Sequence, residues 1–234
     1  MAQKWIFHEQ IAAFDWQGIH MHKDLQALAP ELMAPYAEQM RSVCRDAWEQ
    51  GLLSGCNGNA SCRLPAPHDT IVCLTRSGAA KGRLAPQDCC LVDLHSAAPL
   101  HGGPASTESG MHLAIYRAKP HCKAILHTHP RRLLALSLRL ESGQHDGQQT
   151  DGLKDFLRLP LFEADVWRAR LGFAPALPPG TTELADAVAK ASLEHPAIWM
   201  AGHGLCCTGE HLAEALCLTE ELEHLAAIQL LSMN

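Results

Sequence analysis

The sequence predicts one α/β domain. Short β-branched and apolar segments alternate with segments of helical period, the pattern expected when helices and a sheet share a core. No internal repeat appears, and no linker composition divides the chain after residue 23. At 234 residues the chain is long enough to bury a substantial core as a single unit. The domain is therefore expected over residues 24–234. Residues 1–23 form an N-terminal extension that mixes Trp5, Phe7, Phe14 and Trp16 with polar residues without a clean period.

The first helix is expected within residues 28–53, where Leu32, Met33, Tyr36, Met40, Val43, Ala47 and Leu52 share helical spacing. Pro35 fits its first turn, where a missing N–H costs nothing, and Gly51 fits its end. A Gly/Asn-rich turn runs into a short strand in "SGCNGNASCRL" (54–64), and "TIVCLTRSG" (70–78) is a strand broken at Gly78. Residues 81–96 read as a loop, a turn at Pro86 and the strand "CCLVDL", followed by a Gly/Pro-rich loop over 98–107. A helix over 108–120 ends at Pro120, with Ser106 or Thr107 as N-cap. "CKAILHTHP" (122–130) is a strand closed by Pro130, and residues 131–141 fit another helix. A polar, Gly-rich loop covers 142–156, and proline-punctuated extended pieces follow in "LRLPLFEADVW" and "ARLGFAPALPPGT". An amphipathic helix covers 181–195, capped by Thr181 or Thr182, and a strand over 197–209 is interrupted by Gly-His-Gly. The final helix covers 210–233, with Leu212, Ala215, Leu216, Leu222, Leu225, Ala226 and Leu230 in one stripe.

Net charge is −6 with histidines neutral, so there is no basic footprint for nucleic acid or an anionic membrane surface. No apolar run reaches the roughly 18 residues of a membrane span, and the N-terminus lacks the apolar stretch of a secretory signal. Ten cysteines occur without a C-x-x-C pair, which disfavours a zinc ribbon or a thioredoxin-type site. They are expected as reduced thiols packed as small hydrophobes in a cytoplasmic protein.

Fifteen histidines are the unusual richness. His127 and His129 stand at i and i+2 at the end of a predicted strand, so their imidazoles face the same side. Alone, such a pair equally describes two partly buried histidines. A rival pair, His20 and His22, has neither a strand pattern nor a third partner and is expected to be structural. His203, between Gly202 and Gly204, supplies a third ligand. Three histidines with an open position are the arrangement of a catalytic rather than a structural Zn²⁺ site.

Three short polar turns could donate to an anion: "CNGNAS" (56–61) with Asn59 and Ser61, "TRSG" (75–78), and "AST" (105–107) at a helix N-terminus. Together they suggest a phosphate or carboxylate pocket near a metal. Glu108 opens the same helix. Its ordinary role is to complement the helix dipole; facing a metal, it would be a ligand that substrate displaces and that then acts as a base.

In order, "GNAS", "LTRSGAAKGRLAPQD", "ASTESGMHLAIYRAKPHCKAILHTHP" and "GHGLCCTGEHLAEALCLTEELEHLAAI" resemble the class II aldolase/adducin family over roughly residues 40–230. Its enzymes include fuculose-phosphate and ribulose-phosphate aldolases and epimerases. The resemblance implies a three-layer α/β/α sandwich around a mainly antiparallel central sheet. It also implies Zn²⁺ or a similar ion such as Mn²⁺ or Co²⁺, and a homotetramer with active sites at subunit interfaces. By motif match it implies His127, His129, His203 and Glu108 as metal ligands, with Glu108 also the catalytic base. It implies Gly58, Asn59, Ser77, Gly78, Ser106 and Thr107 as the phosphate-binding residues. The implied reaction is metal-dependent lyase chemistry, in which a ketose phosphate is cleaved through a metal-stabilised enediolate to dihydroxyacetone phosphate and an aldehyde.

Two departures from the family pattern matter. The aldolases place a tyrosine over the aldehyde oxygen, whereas this chain has only Tyr36 and Tyr116, and Tyr116 falls inside a helix where packing is the simpler role. Glu163 or a neighbouring subunit would then have to supply the acid. The "TRSGAAKGRLAPQD" stretch also resembles the methylthioribulose-1-phosphate dehydratase branch, whose base is a glutamate after H-x-H; Glu163 keeps that reading open and Glu108 favours the aldolase arrangement. A decarboxylase of a 3-oxo acid phosphate would use the same metal and pocket. A non-catalytic adducin-like module is disfavoured, since a scaffold has no use for three histidines and an acid held together.

Overall fold

The structure is a computed structural model that describes residues 21–142 and 154–233. The expected extension lies outside the described residues up to residue 20, and so do residues 143–153 of the expected polar loop.

Eight strands form one sheet: β1 (Asn59–Arg63), β2 (Ile71–Thr75), β3 (Cys89–Asp93), β4 (Pro99–His101), β5 (Ala124–Thr128), β6 (Leu171–Ala174), β7 (Ala197–Met200) and β8 (Gly204–Gly209). Their order is β4-β3-β2-β1-β5-β8-β7-β6. Every neighbouring pair is antiparallel except β6 and β7. That pair is joined through the helix α5 (Thr182–Ser192), the kind of crossover that parallel strands require.

Strand alternation assigns the two faces. Ala124 and Leu126 of β5 pack in one core with Leu205, Cys207 and Trp199. Ile125 packs in the other with Cys206, Ile198 and Met200. The first core is covered by α1 (Met21–Glu49), α3 (Arg131–Ser142), α4 (Phe162–Arg168) and α6 (Leu212–Ser232). The second is covered by α2 (Ser109–Ala118) and α5. The result is the α/β/α sandwich with a mainly antiparallel sheet.

Several local expectations change. Helix α1 begins at Met21, so Pro30 and Pro35 lie in its interior and not in a first turn. Each removes a backbone N–H and crowds the preceding turn. Both prolines are exposed, which leaves the freed carbonyls to water, while Ala29, Met33, Ala37, Met40, Cys44 and Ala47 bury the opposite stripe. Gly51 ends the helix as expected, with φ of 75°, and Leu52 N–H closes on Ala47 O at 2.8 Å. The expected loop 98–107 contains β4, an edge strand, where Pro99 leaves no ladder bond unmade. The segment expected as extended around Glu163 is helix α4; Pro160 sits just before its start, where proline is compatible with a helix. Phe156 and Leu157, at the end of the expected polar loop, are buried. The strand expected over 197–209 is a hairpin, β7 and β8, whose turn carries His203.

All ten cysteines are free, and eight are buried. Burial pushes the Cys44, Cys62, Cys90 and Cys207 thiols up to about 12, so they are inert packing groups. Among the described residues no helix is long and apolar enough to cross a membrane.

Candidate metal centre

The centre is built where β5 ends beside the β7–β8 turn. His127 is fully buried, in the last turn of the pleat before the strand stops at Thr128. His129 lies one residue beyond the strand, held by its N–H donating to Leu52 O at 3.0 Å. Pro130 and α3 follow at once. The first amides of α3, on Arg132 and Leu133, each donate to the buried Glu223 carboxylate of α6 at 3.0 Å, which anchors the exit from the two histidines. Gly204 lets the third histidine approach. A Cβ there would lie 2.5 Å from Thr128 O and within 3.3 Å of the His127 and His129 rings.

The three rings meet with centroid separations of 4.8, 4.8 and 5.2 Å. His127 Nδ1 is 3.0 Å from Leu205 O, an acceptor only, so Nδ1 carries the proton and the Nε2 lone pair faces the cluster. His129 Nε2 is 3.0 Å from His127 Nε2. The Glu108 carboxylate closes the set, with Oε2 3.3 Å from His127 Nε2 and Oε1 3.1 Å from His203 Nε2. A tetrahedral ion with ligands at about 2.0–2.1 Å separates its donor atoms by roughly 3.3 Å. The spacing and the chemistry of this donor set therefore fit a divalent cation.

Burial alone would raise the Glu108 carboxyl; the contacts from His127 and His203 outweigh it and hold the group well below the usual carboxylate range. Burial, then the neighbouring imidazoles, lower His129 to about 3, so it is a neutral ligand at physiological pH.

Glu108 is not inside α2 but at its N-cap position, and it makes no capping bond. The expected caps, Ser106 and Thr107, precede that position; Ser106 Oγ accepts from Glu108 N–H at 3.3 Å. Asn59 orients the carboxylate, donating from Nδ2 to Glu108 Oε2 at 2.9 Å and to Ser106 Oγ at 3.2 Å. Its Oδ1 is bonded to His112 Nε2, so the Asn59 amide is committed to Glu108, Ser106 and His112. The chain of contacts continues through His112 Nδ1 to Ser61 Oγ at 2.7 Å and on to Tyr116 OH at 2.8 Å. Tyr116 is therefore a buried packing and bonding residue.

A cavity of about 390 Å³ opens in front of this cluster. Its lining includes Glu108, His129 and His203 together with Gly58, Asn59, Ser77, Gly78, Ser106 and Thr107. The residues singled out from the sequence, His127 behind them, are thus brought to one place. Glu163 is exposed on α4 and is not in the lining, and Tyr36 lines a separate cavity of about 460 Å³. His22, of the rival pair, lies in α1, and His20 lies outside the described residues.

Sequence reasoning missed His112, Arg76 and Lys81. His112 stands four residues after Glu108, on the same helix face, a spacing that could have paired them. Arg76 and Lys81 flank the Ser77-Gly78 turn and line the cavity.

Burial lowers the His112 imidazole to about 3, against 6.5 for a free one. The unfolded chain then takes up a proton as pH falls below 6.5 while the folded protein does not until about 3. Stability from this group is complete above 6.5 and lost between 6.5 and 3. Wild-type stability in urea is expected to drop between pH 7 and pH 4, with on the order of 3 kcal/mol of that drop due to His112. The His112→Gln variant should show a correspondingly smaller drop; equal drops would show that His112 is not the titrating group.

Residues 38–230 match the family described as Class II Aldolase and Adducin N-terminal domain. The chain is 31% identical to an L-fuculose phosphate aldolase of Methanococcus vannielii, over 82% of this chain and 94% of the relative. It is 31% identical to a 3-oxo-tetronate 4-phosphate decarboxylase of Haemophilus influenzae, over 82% of this chain and 85% of the relative. It is 33% identical to a methylthioribulose-1-phosphate dehydratase of Serratia proteamaculans, over 81% and 91%. The crystal structure of L-fuculose-1-phosphate aldolase from Thermus thermophilus superposes with a TM-score of 0.68 at 32% identity, covering 88% of this chain and 95% of that one.

Proposed function

The chain belongs to the class II aldolase and adducin family, and from that premise we propose that it is a divalent-metal-dependent lyase, cleaving a ketose phosphate to dihydroxyacetone phosphate and an aldehyde. The observation that carries this reading is the Glu108 carboxylate set between His127 and His203 at the wall of a polar cavity. The family is divalent-metal dependent. His127, His129, His203 and Glu108 would hold the ion, which we take to be Zn²⁺, with Mn²⁺ or Co²⁺ as substitutes.

Bound there, the ion would supply Lewis acidity to a substrate carbonyl and hydroxyl. Glu108 supplies the proton step. While it contacts the histidines it is held ionised. Once substrate takes its place, burial is what remains, and burial raises a carboxyl toward the range useful for acid–base work. When the C–C bond of the ketose breaks, its electron pair stays with the dihydroxyacetone phosphate portion. The Glu108 carboxyl protonates that portion at the hydroxymethyl carbon, and in the synthetic direction Glu108 removes the same proton. Asn59, bonded to both Glu108 and His112, keeps the carboxylate aimed as it changes partners. Ser77, Gly78, Ser106, Thr107 and Gly58 lie along the cavity as the phosphate-binding residues. The domain over residues 24–234, a homotetramer and a cytoplasmic location complete the proposal.

One observation favours a second reading, a decarboxylase of a 3-oxo acid phosphate. Neither tyrosine reaches the cavity: Tyr116 is bonded to Ser61, and Tyr36 faces the other cavity. Loss of CO₂ needs no acid over an aldehyde oxygen. The two readings separate in a screen of the metal-loaded enzyme against ketose 1-phosphates and 3-oxo acid phosphates. The aldolase reading expects one dihydroxyacetone phosphate per substrate consumed. Consumption without it, or CO₂ release alone, would refute the aldolase reading.

A further inference from the structure

We propose that Lys81 and Arg76 form a cationic end of the cavity that holds a phosphomonoester dianion and makes the site selective for phosphorylated substrates. This inference rests on the reading that the substrate carries a phosphate, and it assigns residues to which the sequence gave no role.

Lys81 is only 2% exposed, a rare condition for a lysine. Its Nζ donates to Ala79 O at 2.7 Å and to Cys56 O at 3.2 Å, and its backbone N–H donates to Gly55 O at 3.0 Å. These bonds tie the loop after β2 to the turn before β1, the two loops that carry Gly58, Ser77 and Gly78. Carbonyls orient an ammonium but do not neutralise it. Among the described residues no carboxylate lies within ion-pair distance of Lys81. Two of its three protons go to carbonyls, and the side chain lines the cavity.

Arg76 repeats the pattern. Its guanidinium donates from Nη1 to Gln87 O at 2.8 Å, while its buried Nε has no partner. It lies against Gly103, where any side chain would collide with it. It likewise has no acidic partner among the described residues, and it lines the same cavity.

A buried cation without a counter-charge is costly unless an anion completes it. Here two such cations meet the hydroxyls of Ser77, Ser106 and Thr107 in a space whose other lining residues include Glu108, His129 and His203. The cavity therefore joins a cationic region suited to the three terminal oxygens of a phosphomonoester to a cluster suited to a metal-chelating head group.

The test is a calorimetric titration of the metal-loaded protein with glycerol 1-phosphate, with glycerol as the uncharged control. Wild type is expected to bind the phosphate ester and not glycerol. Lys81→Met and Arg76→Met should each weaken that binding about tenfold or more, with Arg76→Lys recovering part of the loss. Metal content should stay at the wild-type level in all three. If wild type binds glycerol 1-phosphate and a folded Lys81→Met or Arg76→Met protein binds it equally well, the assignment is overturned. If Lys81→Met does not fold, Arg76→Met decides the matter alone. Failure of wild type to bind the ester at all would overturn the phosphate reading of the substrate, and this inference with it.

Discussion

Glu108→Gln is expected to lower turnover by about a thousandfold or more while leaving the protein folded. The amide keeps the shape of the carboxylate and can still face Asn59, so packing is little disturbed. It cannot take or return a proton, and it loses the charge that His127 and His203 now face at 3.3 and 3.1 Å. Steady-state rates, with circular dichroism as the folding control, check this. Wild-type turnover in the variant would remove Glu108 from the role of base.

His203→Ala should have the second large effect, loss of the metal together with activity. His203 sits on a three-residue turn, between Gly202 with φ of 67° and Gly204, and reaches the cluster from the opposite side to His127 and His129. No neighbouring ligand among the described residues can replace it, since His127, His129 and His203 are the one group found there whose ligand atoms all lie within 4.8 Å of one another. Loss of a supporting partner alone typically costs about 10–100-fold in metal affinity, and removal of a ligand should exceed that. Metal analysis after dialysis is the measurement. A variant that retains one ion per chain at wild-type affinity would show that His203 is not a ligand.

The parts of this site legible in the sequence were those with a local rule. The two-residue period of a strand put His127 and His129 on one side, and glycines beside His203 implied a close approach, which the structure places against Thr128 O and the histidine rings. The fold class followed from alternating segments, and the antiparallel sandwich from the family resemblance. What was not legible depended on partners far along the chain. Asn59 read as a phosphate donor, yet its amide is taken up by Glu108 and His112, 49 and 53 residues away. Glu223 caps α3 from 91 residues away, and a lone glutamate in a long helix gives no hint of that. Lys81 looked like an ordinary loop cation because its burial depends on how two loops meet. Around Pro30, Pro35 and Pro160, local punctuation misled: two prolines sit on the solvent side of a helix whose other face is buried, and the third precedes a helix instead of ending an extended piece.

The account's central claim is that three imidazoles and one carboxylate hold a divalent ion. X-ray absorption at the metal edge of the Zn²⁺-loaded protein tests it most directly, because it reports the ligand atoms themselves. The account predicts nitrogen scattering from three imidazoles plus oxygen, with no sulfur. In a chain with ten cysteines, sulfur ligands or an ion without imidazole scattering would contradict it.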